Sequence, residues 1–525
     1  MDKLFKIFAL VLLASLPAAA QAEWWQARTE HFIIYSESSA RDAEAFAARL
    51  ERFDMALRSL QNISAEPIQS DSQRLTIFRR GNVEYIGRLY GAQGVAGFYI
   101  PRIGGSVAFT PARKEGADLI SYRRDSRTDL DPQSVLFHEY AHHFMFQHFS
   151  AAYPQWYVEG FAETAATIDL QEGGSFHLGN PPQYRVSELL QPLTSAKRML
   201  TNTRPPTAEL FYSYYSLGWL LNHYLTFEPS RQGQLKQYLR LINAGTAPPE
   251  AARKAFGDLD VLDRDLARYR NNRPLPGALV KPSFYEPPAV TMRKLGADEE
   301  AIVRVALRSK RGVNRKAADE VAGEARSVAA KYPSSYPVQI ALAEAEFDDR
   351  KYDAAEAAAN RALALSPKSA EAMLYIGRAH LERAKEKKDK ALFETARKWF
   401  EKAHVADREH AEPLFYNYLT YHDAGLSPPK TAVTALERAF DIAPFAGEIR
   451  LVLALQLLVE TEGKLARTVL TPLAIGAHQS TGAKALRAVV ELLDAGKVEE
   501  AHTALAAEMA RLEQEQKSGK STDDD

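Results

Sequence analysis

The sequence predicts an α+β domain, a small mixed sheet with helices, followed by an all-α solenoid of repeated helix pairs. Three observations carry this. Short β-rich runs bounded by Gly, Ser or Pro occupy the chain before about residue 130. Apolar residues at helical spacing then run from Leu136 to about Tyr269. From about residue 300 the chain is alanine-rich and helical, and Pro333 and Pro367 recur 34 residues apart. A chain of 525 residues has room for two or more domains, each with its own core.

The first residues read as a secretory signal over 1–22. Basic Lys3 and Lys6 precede the apolar stretch Ile7 to Leu16, and Ala18-Ala19-Ala20-Gln21-Ala22 fits a small-residue cleavage site after Ala22. The mature protein is expected to begin near Glu23 and to be periplasmic or secreted. The apolar run is short for a bilayer, so no integral span is expected once it is removed. The chain has no cysteine, which excludes disulfides, thiolate metal ligands and cysteine nucleophiles. An export signal without cysteine suits a Gram-negative periplasmic protein. A net charge of −1 with mixed signs gives no basic face for nucleic acid.

Strands are expected at His31 to Tyr35, Arg74 to Arg79, Val95 to Ile100 and Ser106 to Thr110. Between the first two, Ala43, Phe46, Ala47, Leu50, Phe53 and Leu57 mark a helix over Ala40 to Leu60. A further helix starts after Asp131-Pro132, where Asp can cap and Pro can take the first turn. It contains His138-Glu139-Tyr140-Ala141-His142. Residues four apart share a helix face, so His138 and His142 can offer two imidazoles to one metal ion, with Glu139 beside it. The apolar neighbours Val135, Leu136, Phe137, Ala141, Phe144 and Phe146 predict a buried helix, whose polar atoms need partners. His143 points about 100° away from His142 and is not expected to join that ion; it and His148 read as core or surface histidines.

Downstream, Trp156-Tyr157-Val158-Glu159-Gly160-Phe161-Ala162-Glu163 supplies an acidic third ligand, Glu159, on a second helix. Two imidazoles and a carboxylate leave one position of a tetrahedral zinc ion open, the arrangement of a catalytic site. Turns are expected at Gly173-Gly174, Pro181-Pro182 and Pro205-Pro206. Pro274, Pro276, Pro282, Pro287 and Pro288 then read as a linker over 273–298.

Beyond the linker, Leu342, Ala343, Ala355 and Ala362 stand where close-packed helix pairs place small residues, and Ala362 lies five before Pro367. Val328 holds the equivalent place before Pro333, a degenerate first unit. Ile376-Gly377, Ala396, Phe400 and Ala403 mark the next unit, shifted by a seven-residue insertion around Lys385 to Lys390 that reads as a solvated helix extension. Leu436, Ala439 and Pro444, then Leu453, Ala454 and Ala466, and a last pair around Ala488 and Ala501 continue the series. This resembles a run of five or six degenerate tetratricopeptide (TPR) repeats over 299–514, stacked into a solenoid because no unit buries its apolar face alone. Such repeats imply a protein partner. A polar tail, 515–525, is expected to be disordered.

The HExxH motif with a downstream helical Glu resembles the gluzincins, and the Trp-x-x-Glu-Gly-x-Ala-Glu phrase is similar to the metal helix of the M1-like "peptidase MA" group, including exported proteins of the DUF1570 type with TPR repeats. The resemblance implies a zincin-like metallopeptidase domain over 23–272 hydrolysing a peptide or protein substrate. It implies one Zn2+ held by His138, His142 and Glu159, with Glu139 as general base. Glu163, four after Glu159, matches the residue that orients a ligand imidazole. Tyr215-Ser216-Leu217-Gly218-Trp219-Leu220-Leu221 resembles the Tyr-x-x-Gly-x-x-Leu-Leu run that carries the oxyanion-stabilising Tyr; Tyr215 is the first choice, then Tyr214, then Tyr212. The chain lacks the Gly-x-Met-Glu-Asn phrase that M1 aminopeptidases use to hold a free N-terminus, and Gly104 to Phe109 reads as the corresponding edge strand without its acidic anchor. Endopeptidase action, or cleavage of an unusual amide, therefore stands beside aminopeptidase action. The alternative is a vestigial peptidase fold serving as a TPR interaction scaffold in the cell envelope.

Overall fold

The structure is a computed structural model and describes residues 23–64, 67–93, 95–113, 132–191, 194–202, 207–271, 274–282, 285–475 and 481–518. The expected signal, Asp131 and the Pro205-Pro206 turn lie outside the described residues.

Chain order begins with β1 (Trp24–Arg28), β2 (Phe32–Glu37), α1 (Ala40–Gln61), β3 (Leu75–Arg79), α2 (Val83–Tyr90), β4 (Phe98–Ile100) and β5 (Val107–Thr110). There follow α3 (Pro132–His148), α4 (Gln155–Ala166), β6 (Asp169–Leu170), β7 (Phe176–Leu178), α5 (Val186–Leu190), α6 (Ala196–Thr201) and α7 (Ala208–Phe227). Then come α8 (Gln234–Asn243), α9 (Pro248–Phe256), α10 (Leu259–Asn271), β8 (Ala278–Val280) and β9 (Thr291–Lys294). Six strands form one mixed sheet in the order β4-β5-β3-β2-β1-β9. β2, β3 and β5 run parallel; β1 and β4 are antiparallel to their neighbours.

The packing of α1 explains where α3 lies. Ser39 caps α1 by accepting from the Asp42 amide, and Asn62 closes it in a left-handed conformation (φ 53°). Ala47, Leu50, Phe53 and Leu57 are buried in one core with Phe32, Ile34 and Ile77 of the sheet and with Phe137, Tyr140 and Ala141 of α3. The Phe53 and Phe137 rings stack with centroids 3.8 Å apart. Behind α3, the Tyr140 hydroxyl donates to Asp54 Oδ1 (2.5 Å), and Asp54 also accepts from Arg58 and faces His31. Charged Glu51, Asp54 and Arg58 thus sit among the apolar positions of α1: Asp54, held by Arg58, ties α1 to Tyr140 of α3, and Glu51 pairs with His31.

Several expectations change. The passage 273–298 is not a draped linker: β8 pairs with β7, and β9 pairs with β1 to finish the main sheet. Residues 104–109 do not form the edge strand; β5 is interior and β4 is the edge. The helical stretch after Leu136 is interrupted by the β6–β7 hairpin. β1 and β9 are too short and too polar at alternate positions to stand out; β1 is a strand because β2 and β9 flank it, and β9 because β1 lies beside it.

Beyond β9, twelve helices among the described residues form six consecutive hairpins: α11 (Ala297–Arg311) with α12 (Arg315–Lys331), α13 (Tyr336–Asp348) with α14 (Tyr352–Leu365), and α15 (Ala370–Lys387) with α16 (Lys390–Ala406). They continue as α17 (Ala411–His422) with α18 (Lys430–Ile442), α19 (Gly447–Val459) with α20 (Gly463–Ile475), and α21 (Thr481–Asp494) with α22 (Val498–Ser518). α13 and α15 start 34 residues apart, at 336 and 370, while α15 and α17 start 41 apart, at 370 and 411, which is the seven-residue insertion. The insertion lengthens α15 through Lys387, as its lysines predict. Ala355, Ala362, Ala396, Ala403, Ala439 and Ala466 are all completely buried, so the small side chains mark helix contacts. α22 continues to Ser518, so 515–518 are helical where a tail was expected.

The solenoid also touches the first domain away from the chain junction. Ser70 Oγ donates to Asp407 (2.5 Å), Gln147 of α3 donates to the Ile442 carbonyl (3.4 Å), and the His143 ring lies 6.0 Å from that of Phe445. Among the described residues no helix is long and apolar enough to cross a membrane.

Candidate metal centre

α3 and α4 converge so that His138 and His142 face Glu159. Glu159 Oε2 lies 3.3 Å from His138 Nε2 and 3.6 Å from His142 Nε2, and the two Nε2 atoms are 3.1 Å apart. A tetrahedral zinc ion with bonds of about 2.0–2.1 Å sets its donors about 3.3–3.4 Å from one another. The triangle therefore fits one such ion. Glu159 Oε2 is also buried without a hydrogen-bond partner, as is His142 Nδ1. A carboxylate oxygen left that way is costly unless a cation answers it.

Electrostatics in this cluster follow from burial and proximity. Burial opposes charge on His138, but Glu159, Glu163 and Glu139 outweigh it and raise its pKa to about 9. Burial works against Glu159 ionising, yet His142 and His138 hold its carboxyl far below the usual range. Glu139 moves the other way: burial raises its pKa against the pull of His138 and His142. A carboxylate raised in this manner is the better proton acceptor.

Glu163, 1% exposed, sits on the other side of the His138 ring, with Oε1 3.7 Å from Nδ1. Sequence reasoning missed what holds it. The Tyr184 hydroxyl donates to Glu163 Oε2 (2.7 Å), and Arg185 donates from Nε to Oε1 (3.3 Å). Both residues lie in the turn after Pro181-Pro182, and no periodic signal marks them. Arg185 also lies over the Tyr215 ring at 4.7 Å.

Tyr215 of α7 stacks on His138, ring centroids 5.8 Å apart, so the first-choice tyrosine is the one beside the triad. Tyr214 is buried in the core of α6–α10 and Tyr212 is exposed. Burial, with Glu159 and Glu139 nearby, raises the Tyr215 pKa and keeps its hydroxyl protonated. Two glycines set the approach of α7 to α4. A Cβ on Gly160 would lie 2.5 Å from the Gly218 carbonyl oxygen, and one on Gly218 would lie 2.5 Å from that of Trp156. Gly160 follows Glu159 and Gly218 stands three after Tyr215, so the close crossing brings these side chains to one place.

His143 faces away from the triad, with Nδ1 3.0 Å from the Tyr99 hydroxyl. Burial, then His148, pushes its pKa down to about 3. A second cluster, His31, Glu51 and Asp54, also brings three ligand-type atoms together. Arg58 and Tyr140 already occupy Asp54, so this cluster is balanced without an ion.

No protein-family model matches the chain, and no curated protein matches it. Similar solved structures include a thermophilic TPR protein of Thermus thermophilus, at 15% identity over 38% of this chain and 98% of that one, with a TM-score of 0.31. Another is the structure of pilF from Pseudomonas aeruginosa, at 17% identity over 41% of this chain and 94% of that one, with a TM-score of 0.32.

Proposed function

We propose that this chain is an exported zinc-dependent metallopeptidase of gluzincin type, whose TPR-like solenoid recruits a partner or substrate protein. The observation that carries the reading is the donor triangle of His138, His142 and Glu159, with edges of 3.1, 3.3 and 3.6 Å. When bound, zinc supplies Lewis acidity toward a carbonyl and lowers the pKa of water.

The side chains divide the remaining work. Glu139 takes a proton from the attacking water as the oxygen–carbon bond forms, and passes it to the amide nitrogen as the carbon–nitrogen bond breaks. Tyr215 donates its hydroxyl to the oxygen on which charge develops. Glu163, clamped by Tyr184 and Arg185, holds its carboxylate 3.7 Å from His138 Nδ1 and favours the orientation and tautomer that put a proton there. The alternative, a vestigial peptidase fold acting as an interaction scaffold, draws on the six hairpins, which lie apart from the triad.

Metal analysis of the wild type and Glu139→Gln, followed by exposure to a broad peptide library, separates the two. One zinc per chain in both, with cleavage by the wild type reduced at least about 10²-fold in the variant, supports the peptidase. No zinc in the wild type, or equal cleavage by both, ends it.

A further inference from the structure

Arg185 stands where the supports of the metal triad meet. It ends the turn 183–185 and directly precedes α5. Its guanidinium is shared between carboxylates on two helices: Nε and Nη2 each lie 3.3 Å from Glu163 Oε1 of α4, and Nη1 lies 3.4 Å from Glu188 Oε1 of α5. The other Glu188 oxygen is buried without a hydrogen-bond partner, so Arg185 is the cation that answers this carboxylate. Gripped from both sides, the guanidinium lies over the Tyr215 ring, its carbon 4.7 Å from the centroid.

Glu163 does not depend on Arg185 alone, because the Tyr184 hydroxyl donates to its other oxygen (2.7 Å). Tyr215 has less to hold it. Its hydroxyl has no hydrogen-bond partner among the described residues, so the aim of that hydroxyl is set by what touches the ring. His138 stacks on the ring at 5.8 Å, and Phe211 meets it edge-on at 5.8 Å. Aromatic pairs tolerate a range of offsets. A cation fixed by two carboxylates draws the ring face to itself and gives it one place. Arginine suits this post and lysine does not: a planar fork donates to two carboxylates and still offers a face to the ring, whereas an ammonium is a single point charge.

We propose that Arg185 is the positioning residue for Tyr215. It acts on the reaction through the tyrosine hydroxyl, aiming the donor at the oxygen on which charge develops, and Glu163 and Glu188 hold the guanidinium over the ring for that purpose. This rests on the peptidase reading of the same site.

The test uses the full chain as wild type, Arg185→Lys, Tyr215→Phe and the double variant, with a library peptide that the wild type cleaves. Arg185→Lys should lower kcat at least about tenfold, with KM within about twofold of wild type and one zinc per chain retained. Added to Tyr215→Phe, which keeps the ring and removes the donor, the same change should cost no more than about twofold in kcat. In zinc-free protein carrying fluorotyrosine, the resonance that disappears in Tyr215→Phe should shift in Arg185→Lys, a readout that needs neither metal nor substrate. If Arg185→Lys does not fold or loses zinc, Glu188→Gln, which frees one end of the guanidinium and leaves Glu163 alone, replaces it with the same expected pattern. Equal losses of kcat with and without the Tyr215 hydroxyl, or an unmoved resonance, overturn the proposal and leave the peptidase reading standing. A wild type that cleaves nothing ends both.

Discussion

His138 and Glu163 meet on the side of the imidazole opposite Glu159, with Nδ1 and Oε1 3.7 Å apart. Partners of this kind fix ring orientation and typically matter 10–100-fold for metal affinity. Glu163→Gln is expected to weaken zinc binding by about that factor, read by competition with a chromophoric chelator. Unchanged affinity would mean that Glu163 only anchors Tyr184 and Arg185.

Tyr215 is the tyrosine stacked on His138, whereas Tyr214 packs into the neighbouring core. Tyr215→Phe keeps the ring and removes the donor, so kcat on a cleaved peptide should fall by about 10²–10³ with KM and zinc content near wild type. Tyr214→Phe should keep kcat near wild type. Reversal of the two results would move the oxyanion role to Tyr214.

The Gly160–Gly218 crossing has no room for a methyl group, since the obstruction is backbone. Gly160→Ala must separate α4 from α7 and is expected to cost about 1–3 kcal/mol, seen as a lower melting temperature. Zinc affinity should fall with it, because Glu159 is the adjacent residue. A variant as stable as wild type would show that the helices slide apart freely.

Protonation gives two opposed pH windows. In zinc-free protein the His138 pKa is raised to about 9, above its value of about 6.5 in an unfolded chain. Its stabilising contribution is complete below about pH 6.5 and is lost as pH rises through about 9. His143, pushed down to about 3, stabilises the fold above about pH 6.5 and loses that contribution as pH falls toward 3. Melting of chelator-treated protein between pH 6.5 and 9.5 should therefore fall more steeply for wild type than for His138→Gln. Zinc binding should tighten over the same range, because the imidazole must shed its proton to ligate. Parallel melting curves for the two proteins would contradict the first expectation.

The residues that meet at the site were legible because helix geometry alone joins His138 to His142, and Glu159 sits in a distinctive phrase on the next helix. Tyr184 and Arg185 were not, because a turn has no period and their partner, Glu163, is some twenty residues away. α1 was found almost to its ends through its apolar spacing, and its Glu51, Asp54 and Arg58 were a readable anomaly on that same face. β1 and β9 could not be found locally, since β1 gains its strand character from β2 and β9 on either side and β9 gains its own from β1. The docking of Arg102 on α11 and α13 was equally hidden, being a contact across 208 residues between a glycine-rich loop and a helical face.

The pairing of β1 with β9 has a consequence for synthesis. Gln26 and Arg293 are bonded across a separation of 267 residues, so the amide edge of Trp24–Arg28 stays open until the ribosome has delivered residue 294. Throughout that interval α3 and α4 already exist, while an uncapped strand can template pairing with another nascent chain. A fragment ending at residue 272 would keep every member of the triad and carry that open edge permanently. Such a fragment also lacks β8 and the solenoid, so its aggregation would report the uncovered strand edges and surface and would say nothing about the metal.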